Sequence, residues 1–382
     1  MTSGRLLLAV LGYGQVVGWG GTYFMPSILG AAQERDLGLP AGSAFAGITV
    51  MLAISGVLSP RVGVLLGRVG PRGPMVVGAL LMALGLAIVA AATGAVMLFA
   101  GWVVLGVSAP LCLSEPANVA LVRAGDARRR ITILLLMTGM TSTAAWPALA
   151  ALDGLVGWRG AVWVMAGLNL VSAGLYLRFV PGGGAGLASG AAVAAVGWNP
   201  GLRLVAVGLA LGALVSNAVQ IHLIALLGAQ GLGAAAAVAM ASLFGPVQIA
   251  ARIADLMYGR RFGVFTVATF AAAIMTAGLV FPLLPGGAWT AWPFLVLFAL
   301  GAGTLTVIRP QVILELAGTA RFAALQGRIA RWVTLATAVA PSVAAGLLSA
   351  GGPAAVLLVC VAVGIGAAWA LRAARARRER VA

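Results

Sequence analysis

Charged residues are scarce in this sequence. Of its 382 residues, 8% are charged and 62% are hydrophobic, whereas an ordinary soluble domain has about 25% charged residues. One water-soluble core cannot hide that much apolar surface, because cores stop growing near ~250–300 residues. Apolar stretches of roughly 20 residues recur along the whole chain. This scarcity excludes a soluble protein and predicts that lipid is the solvent for most of the chain.

Lysine is absent, and all 24 basic residues are arginine. The formal charge of +16 is typical of nucleic-acid-binding proteins, but here the arginines stand in short clusters between apolar stretches instead of along one polar face. The pattern excludes a nucleic-acid partner. Together with the richness in alanine, glycine and valine, the missing lysine indicates the codon bias of a GC-rich genome and says nothing about mechanism.

Cysteine and histidine are nearly absent. Cys112 and Cys360 both fall inside apolar stretches, so the sequence offers neither a disulfide framework nor a metal cluster. With one histidine, no H-E-x-x-H motif and no nucleotide-binding domain, the chemical requirements of an intramembrane enzyme are unmet. We therefore expect no enzymatic activity, no cofactor and no metal.

The apolar stretches predict twelve transmembrane helices, since about 20 helical residues cross ~30 Å of hydrocarbon. Met1 to Arg5 lead directly into the first stretch, which is longer than the ~7–15 residues of a signal-peptide core, so we expect it to be retained as a membrane helix. The predicted spans lie near 6–30, 44–66, 74–93, 96–121, 131–152, 161–180, 202–228, 234–257, 263–284, 291–317, 329–349 and 354–371.

A stretch of small residues separates the sixth span from the seventh. Three glycines follow Pro181, and small residues continue to Pro200, a composition that disfavours another spanning helix. We predict an all-α membrane protein of twelve transmembrane helices in two six-helix halves. The predicted parts are an N-terminal half at 1–180, a cytoplasmic linker at 181–200, a C-terminal half at 201–372 and a basic cytoplasmic tail at 373–382.

The arginines also predict the orientation of the chain. Of the 24, 21 fall at span ends and loops on one side, Arg35 and Arg159 fall on the other, and Arg309 lies inside a span. The positive-inside rule then places both termini in the cytoplasm, and we expect the cytoplasmic (inner) membrane of a bacterium. We interpret the basic tail as an anchor that contacts anionic lipid, with a partner-docking site as the alternative.

The two predicted halves share a short repeat. At an offset of about 194 residues, Glu115-Pro116 aligns with Arg309-Pro310, and the pair Ala-Gly follows each of them at 124–125 and 317–318. Both sites fall in corresponding spans, the fourth and the tenth. A parallel repeat of two six-helix halves is a known transporter design, with the substrate site at the interface of the repeats near the bilayer midplane.

The loop after the second span carries a motif. From Gly63 to Arg72 it reads G-V-L-L-G-R-V-G-P-R, which resembles the G-x-x-x-D-R-x-G-x-R loop of the major facilitator superfamily. A degenerate copy follows the eighth span at 251–261, and Gly-Trp-Arg at 157–159 is similar to an element between spans five and six of that family. The resemblance implies the superfamily's fold, with halves related by a pseudo-twofold axis, alternating access, and gating roles for Gly63, Arg68, Gly70, Arg72, Arg252 and Asp255.

Elementary chemistry gives the same loop a physical reading. Glycine permits a positive φ and close approach of helices, and arginine can donate to exposed carbonyls at a neighbouring helix end. Such contacts could form in one gating state and break in the other. The alternative is that these arginines only fix the topology.

The sequence departs from the family pattern at three places. Gly67 stands where the motif has its aspartate, the fourth span lacks the arginine that many proton-coupled members carry near its start, and the fifth lacks the G-x-x-x-G-P pattern of antiporters. These departures argue against a drug/proton antiporter, which stays an alternative. In the first span, the segment from Gly18 to Phe24 looks like bacterial relatives of monocarboxylate and oxalate/formate carriers.

Ionisable groups inside spans are functional candidates, because burying one in lipid costs about 2.5–3.5 kcal/mol on insertion scales. Glu115 and Arg309 lie at similar depth, ~10–12 Å from the predicted cytoplasmic ends of their spans. Each precedes a proline, which removes a backbone donor and favours a kink. The resemblance implies that both spans line the cavity. The two residues either pair permanently, or Arg309 binds a carboxylate while Glu115 carries a coupling proton.

Other polar side chains extend the candidate site. In the first span, Tyr13, Gln15 and Tyr23 share a helix face with Trp19 and could line a path for a small organic solute, although packing explains each of them equally well. In the seventh span, Asn217 and His222 are candidates, since histidine titrates in the range that suits proton coupling. We interpret Gln248 and Gln311 as polar contacts between helices.

These observations predict a secondary transporter that moves a small, monocarboxylate-like organic anion, coupled to protons or by exchange. Proton-driven efflux of drugs or other apolar compounds is the alternative, and a transport-inactive scaffold or sensor on the same fold is a third hypothesis. A channel would not need the two-half repeat. The expected partners are a small-molecule substrate, protons and membrane lipid, and we expect a monomer.

Overall fold

The computed structural model describes residues 2–40, 42–182 and 198–379. Within these ranges the chain is helical and has no β-strand, which confirms the all-α prediction. Most of the predicted linker at 181–200 lies outside the described residues, as does the end of the predicted basic tail.

We number the helices in chain order over the described ranges. They are α1 (Thr2–Gly20), α2 (Pro26–Asp36), α3 (Ser43–Val69), α4 (Arg72–Ala90), α5 (Ala95–Cys112), α6 (Ser114–Arg123), α7 (Ala127–Gly139), α8 (Thr141–Phe179), α9 (Pro200–Ile221), α10 (Leu223–Gly228), α11 (Ala234–Ser242), α12 (Phe244–Tyr258), α13 (Val264–Val280) and α14 (Ala288–Glu379). Short 3₁₀ turns cover Gly259–Arg261 and Phe281–Leu283.

Breaks divide five of the predicted spans between two helices each. The first span covers α1 and the start of α2, the fourth α5 and α6, the fifth α7 and the start of α8, the seventh α9 and α10, and the eighth α11 and α12. Conversely, α8 contains the end of the fifth span together with the sixth, and α14 contains the last three spans. Glycines with positive φ mark the junctions, at Gly157 in α8 and at Gly318 and Gly352 in α14, because only glycine adopts this conformation without strain.

The outer surfaces of the helices are apolar. Among the residues that the structure describes, eight helical segments are long and apolar enough to cross a membrane by length and composition. Large apolar side chains are widely exposed, including Val96 (87%), Leu155 (80%) and Trp289 (86%). In water, exposed apolar area is unfavourable by about 25 cal/mol per Å², whereas a bilayer offers an apolar environment to such a surface. The chain is a multi-pass membrane protein.

The chain forms two compact units. Unit 1 comprises Met1–Val196 together with Ala317–Arg331, and unit 2 comprises Gly197–Leu316 together with Trp332–Ala382. In unit 1, α4 and α5 pack closely at Gly85 and Gly101, where a Cβ on Gly101 would lie 3.0 Å from the Gly85 carbonyl oxygen.

Unit 2 has a comparable core of its own. Phe244 of α12 stacks on Phe298 of α14 at a ring separation of 5.6 Å. A Cβ on Gly301 would meet the Ala271 carbonyl oxygen at 2.5 Å, so α13 and α14 touch through their backbones. Small residues at such crossings are what membrane helices need, because van der Waals contact replaces the hydrophobic effect between helices in lipid.

Candidate functional site

The fourth predicted span is interrupted inside unit 1. Helix α5 ends at Cys112 and α6 begins at Ser114, with Leu113 outside helical geometry at ψ −136°. Pro116 has no N–H to donate to the carbonyl four residues earlier, so the backbone of Cys112 loses its helical donor there. The sequence predicted a kink at this proline, and the structure has a full break.

Glu115 lies in the first turn of α6 and is partly buried. The N-terminal end of a helix carries partial positive charge, which stabilises an acidic side chain in the first turn. The interruption therefore places a polar site inside an otherwise apolar span. It consists of the carboxyl group of Glu115 and the N-terminus of α6. Discontinuous helices of this kind form substrate and ion sites in several transporter folds.

Gln15 of α1 reaches the same break. Its Oε1 accepts hydrogen bonds from Trp19 Nε1 (3.1 Å) and Ser114 Oγ (3.3 Å). The side chain is 1% exposed, and its Nε2 has no hydrogen-bond partner among the residues that the structure describes. Gln15, Trp19 and Ser114 thus form one polar cluster. Trp19 and Ser114 both donate to the amide oxygen of Gln15, and the amide nitrogen of Gln15 is the buried donor.

The other first-span candidates separate into two environments. Tyr23 contacts Trp19 edge-on at a ring separation of 6.1 Å and continues through Phe24 (5.3 Å) to Trp146 of α8 (6.0 Å from Phe24). Tyr13 donates instead to the carbonyl of Leu168 in α8, at 3.2 Å. The structure therefore joins Gln15 and Tyr23 through Trp19, while the hydroxyl of Tyr13 is held by helix packing.

The seventh-span candidates contact α14 within unit 2. Asn217 Nδ2 donates to its own helix at Ala213 (2.8 Å) and lies 3.4 Å from Thr337 Oγ1. His222, at the break between α9 and α10, has its Nε2 3.4 Å from the Pro341 carbonyl oxygen. Because residues 337 and 341 are one turn apart, both contacts belong to one seam between α9 and α14.

Arg309 lies in α14 and is partly buried. The helix continues through Pro310, so the tenth span has no counterpart of the break at Leu113. Two residues further on, Gln311 Nε2 donates to Asp255 Oδ2 of α12 at 3.1 Å, and both side chains are buried. This is the interhelical polar contact expected of Gln311.

The degenerate loop copy is buried as well. Arg252 and Asp255 of α12 are 6% and 7% exposed, and Arg252 Nη2 lies 3.5 Å from Gln248 Oε1 on the previous turn. These side chains are thus held inside unit 2, beside the turn that carries Gln311.

The glycines of the loop motif have distinct structural roles. A Cβ on Gly63 would lie 2.5 Å from the carbonyl oxygen of Ala323 and 3.0 Å from the Cα of Gly327, so α3 crosses residues 323–327 of α14 in backbone contact, all within unit 1. Gly70 ends α3 with φ 84° and donates its N–H to Leu66. The loop therefore has both properties expected of its glycines, which are close helix approach at Gly63 and positive φ at Gly70.

The arginines of the motif differ from each other. Arg72 Nε donates to the carbonyl of Val180 at the end of α8, at 2.6 Å, which is the contact with a neighbouring helix end that the sequence predicted. Arg68 is exposed. Arg123, which sequence reasoning did not single out, donates through Nη2 to the Leu66 carbonyl at the end of α3, at 2.8 Å.

Ser114 is the other residue that sequence reasoning missed. A serine just before an acidic residue and a proline is a signal for a helix start, and reading Ser114-Glu115-Pro116 this way would have predicted the break. Its hydrogen bond to Gln15 depends on contact between distant parts of the chain and has no local signal.

Comparisons with known proteins identify the fold. No protein-family model matches the sequence, and no curated protein matches it. Among solved structures, the human organic anion transporter MFSD10 (TETRAN) aligns with a TM-score of 0.75 and 14% identity, over 96% of this chain and 99% of that one. The major facilitator superfamily transporter FucP in its outward conformation aligns with a TM-score of 0.74 and 13% identity, over 97% and 99%.

A third structure, a single-residue variant of the E. coli fucose:proton symporter FucP, has a TM-score of 0.74 and 14% identity over 96% and 99% of the two chains. The chain has the fold of the major facilitator superfamily, which confirms the predicted resemblance at the level of the fold. The narrower likeness to monocarboxylate and oxalate/formate carriers is not confirmed and stays a prediction.

Proposed function

We propose that this protein is a secondary transporter that moves a small organic anion by alternating access, coupled to protons or by exchange. Its fold is shared with an organic anion transporter and with a fucose:proton symporter. Few ionisable residues lie inside its predicted spans. We further propose that it works as a monomer in the cytoplasmic membrane of a bacterium, with both termini in the cytoplasm.

The observation that carries the anion hypothesis is Arg309. It is a partly buried arginine inside the predicted tenth span, between Ile308 and Pro310 of α14. A guanidinium cannot lose its proton and offers two parallel donors that match a carboxylate. Permanent charge inside a span is expensive and is retained mainly for substrate, ion or structural pairing. We assign Arg309 to the substrate carboxylate, with Asn217 and His222 as further substrate contacts of unit 2.

Replacing Arg309 by alanine tests this assignment. We expect Arg309→Ala to abolish uptake of organic acids into proteoliposomes while the protein still folds, as judged by its elution and melting temperature. Arg372→Ala, at an exposed arginine of the same helix, is the matched control and should transport normally. Undiminished acid flux in the Arg309 variant would remove the anion hypothesis.

We assign the coupling proton to Glu115. A carboxyl group can take up a proton in one state and release it in the other, and its place at the break in the fourth span puts it among the polar groups of unit 1. In Glu115→Gln we expect loss of proton-driven accumulation but retained exchange of substrate across the membrane. Glu34→Gln, outside the predicted spans, serves as the control. A pH profile identical to that of the wild type would contradict the assignment.

The loop motif is proposed as a gate. In this proposal the contact of Gly63 with residues 323–327 forms in one transport state and is lost in the other. Arg68, Gly70 and Arg72 then set the position of the helix ends around it, and Arg252 and Asp255 have the corresponding role in unit 2.

One observation favours efflux of apolar compounds as the second hypothesis. Trp19, Tyr23, Phe24 and Trp146 form a chain of edge-to-face aromatic contacts in unit 1, and aromatic side chains are suited to binding apolar or cationic compounds. Proton-driven export of a hydrophobic cation such as ethidium from inverted vesicles would favour efflux. Acid uptake that depends on Arg309 would favour the anion transporter.

A further inference from the structure

Arg331 contacts the middle of a membrane helix. Its Nη2 lies 3.5 Å from the carbonyl oxygen of Val57 in α3. Val57 stands 14 residues after the first residue of α3 and 12 before the last, so at ~1.5 Å per residue it lies ~18–21 Å from both ends of the helix. The sequence places Arg331 at the start of the eleventh span, whereas the structure places its guanidinium beside the middle of the second.

Arg61 lies beside this contact. In an α-helix each carbonyl is directed toward the N–H four residues later, so the oxygen that Arg331 approaches is directed toward the backbone of Arg61. Val57 and Arg61 lie one turn apart on an exposed face of α3. Arg331 belongs to the same unit as α3, because unit 1 includes Ala317–Arg331. Unit 1 thus has two arginines next to each other deep in its second span.

The positive charges of these two arginines are not compensated. Neither is paired with a carboxylate among the residues that the structure describes. The Nε of Arg331 is buried and has no hydrogen-bond partner there. The 3.5 Å contact of its Nη2 is longer than the about 2.7–3.2 Å of a good N–H···O bond. Because like charges repel, an anion between the two side chains would supply both the missing charge and the missing acceptors.

Contact with lipid does not explain the pair. An arginine that faces lipid keeps its charged head in water by extending it toward the membrane surface. The guanidinium of Arg331 instead stays beside the middle of α3. Charged side chains at this depth usually adjoin a water-filled cavity or a bound partner, and the open face of α3 at Val57, which is 48% exposed, leaves room for one.

We infer that Arg61 and Arg331 form an anion site in unit 1, and that its ligand is a phosphate or sulfate group with two negative charges. Two guanidinium groups beside one point of α3 match two charges carried by one compact group, and the paired N–H donors of arginine match its oxygens. The site does not rest on the carboxylate assigned to Arg309, which belongs to unit 2, and it is tested by binding without transport.

The first test compares two phosphate esters on the purified full chain. Methyl phosphate and dimethyl phosphate present the same tetrahedral group with two and one negative charges at pH 8, since the second pKa of a phosphate monoester is about 6. Isothermal titration calorimetry measures both dissociation constants. We expect methyl phosphate to bind about tenfold or more tightly than dimethyl phosphate, the effect of one charge-assisted contact. Equal affinities would overturn the doubly charged ligand.

The second test removes each arginine. We expect Arg61→Gln and Arg331→Gln to weaken methyl phosphate binding by about tenfold to a hundredfold each. Arg331→Lys keeps the charge but loses the paired donors, so its affinity should fall between those of the wild type and Arg331→Gln. Arg129→Gln is the matched control, because it removes the same charge at an exposed arginine in the first turn of α7. It should bind like the wild type.

The outcomes separate a built site from the general charge of the protein. Losses in both glutamine variants but not in Arg129→Gln support the site. Equal losses in all three variants would mean that the ester responds only to the formal charge of +16, and they overturn it. Absence of methyl phosphate binding to the wild type overturns it as well, since the two arginines would then only fix the topology. If a glutamine variant does not fold, the ester comparison and Arg331→Lys decide.

Discussion

Gly63 and Gly327 let two helices touch through their backbones. A Cβ on Gly63 would lie 3.0 Å from the Cα of Gly327 and 2.5 Å from the Ala323 carbonyl oxygen. Neither neighbour is the end of a flexible side chain, so relief requires one helix to move. The absence of a side chain at residue 63 is therefore a geometric requirement of this crossing.

Adding one methyl group at Gly63 should disturb this crossing. We expect Gly63→Ala to destabilise the structure by about 1–3 kcal/mol, the usual effect of overpacking, and to lower the melting temperature of the purified protein. Gly73→Ala is the control, since Gly73 lies in α4 and a Cβ there meets nothing within 4 Å. An equal melting temperature for both variants would contradict the described contact. If the crossing is also the proposed gate, Gly63→Ala should slow transport.

At the scale of single residues, the sequence predicted those features that depend only on the local backbone conformation. Gly70 needs positive φ because it ends α3 at a tight turn, and the motif alone indicated this. Gln15 was a candidate for its polarity in an apolar span, but its donor orientation could not be predicted. That orientation depends on Ser114, 99 residues away along the chain, and on packing that brings α1 to the break between α5 and α6.

At the scale of helices, arginine side chains donate hydrogen bonds to backbone carbonyls at the ends of neighbouring helices. Arg72 donates to Val180, Arg123 to Leu66 and Arg159 to Ala90, each a carbonyl at or near a helix C-terminus. Carbonyl groups at the C-terminus of a helix carry partial negative charge, and the Leu66 carbonyl accepts from Arg123 in addition to Gly70 N–H. Arginines at the ends of the spans therefore join adjacent helices in addition to biasing the topology.

Arg159 makes the most contacts of these arginines. It pairs with Asp36 at 2.9 Å, donates to the Ala90 carbonyl at 2.7 Å and lies over the ring of Trp158 at 4.4 Å. Both partners of the ion pair are well exposed, at 39% and 46%, and exposed pairs contribute only about 0–1 kcal/mol. Most of its stabilisation should therefore come from the carbonyl and the ring.

Two substitutions measure this difference. We expect Asp36→Asn to change the free energy of unfolding by less than about 1 kcal/mol, and Arg159→Ala to lower it by about 1–3 kcal/mol through loss of a charge-assisted hydrogen bond. Thermal unfolding in the same detergent provides the comparison, and the double variant measures the coupling of the pair. Equal losses in the two single variants would mean that the ion pair carries the stabilisation.

Hydropathy identified the helices well because a membrane sets their length. It did not identify the breaks in the first, fourth, fifth, seventh and eighth spans, since two short helices in line have the same apolar composition as one long helix. Two breaks had a local signal, the fourth span's in Pro116 and the first span's in Pro26, the first residue of α2. The breaks at residues 140, 222 and 243 depend on packing that composition does not record.

At the scale of the whole molecule, the repeat and the linker divide the sequence near residue 190, whereas contacts group Ala317–Arg331 with Met1–Val196. A sequence repeat reports common origin and similar folding of two segments. It contains no information about which helix surfaces touch, so the grouping of Ala317–Arg331 could not be predicted from it.

The direction in which the chain crosses the membrane is predicted by its arginines, and reporter insertions can test it. Helices α5 and α6 together cover Ala95–Arg123, or 29 residues, which at about 1.5 Å per residue span the bilayer once despite the break at Leu113. Thr93 and Gly125 should then lie on opposite sides. Alkaline phosphatase inserted at Thr93 should be active outside the cytoplasm, and the same enzyme inserted at Gly125, beside Arg128 to Arg130, should be inactive.

A fluorescent protein inserted at Gly125 supplies the complementary readout, because it matures only in the cytoplasm and should be bright there and dark at Thr93. If the break at Leu113 instead turned the chain back, both sites would report the same side. Every later span would then be inverted, and 17 of the arginines assigned to the cytoplasm, from Arg123 onward, would face outward. That distribution contradicts the positive-inside rule, so we expect opposite signals from the two sites and a single crossing by α5 and α6.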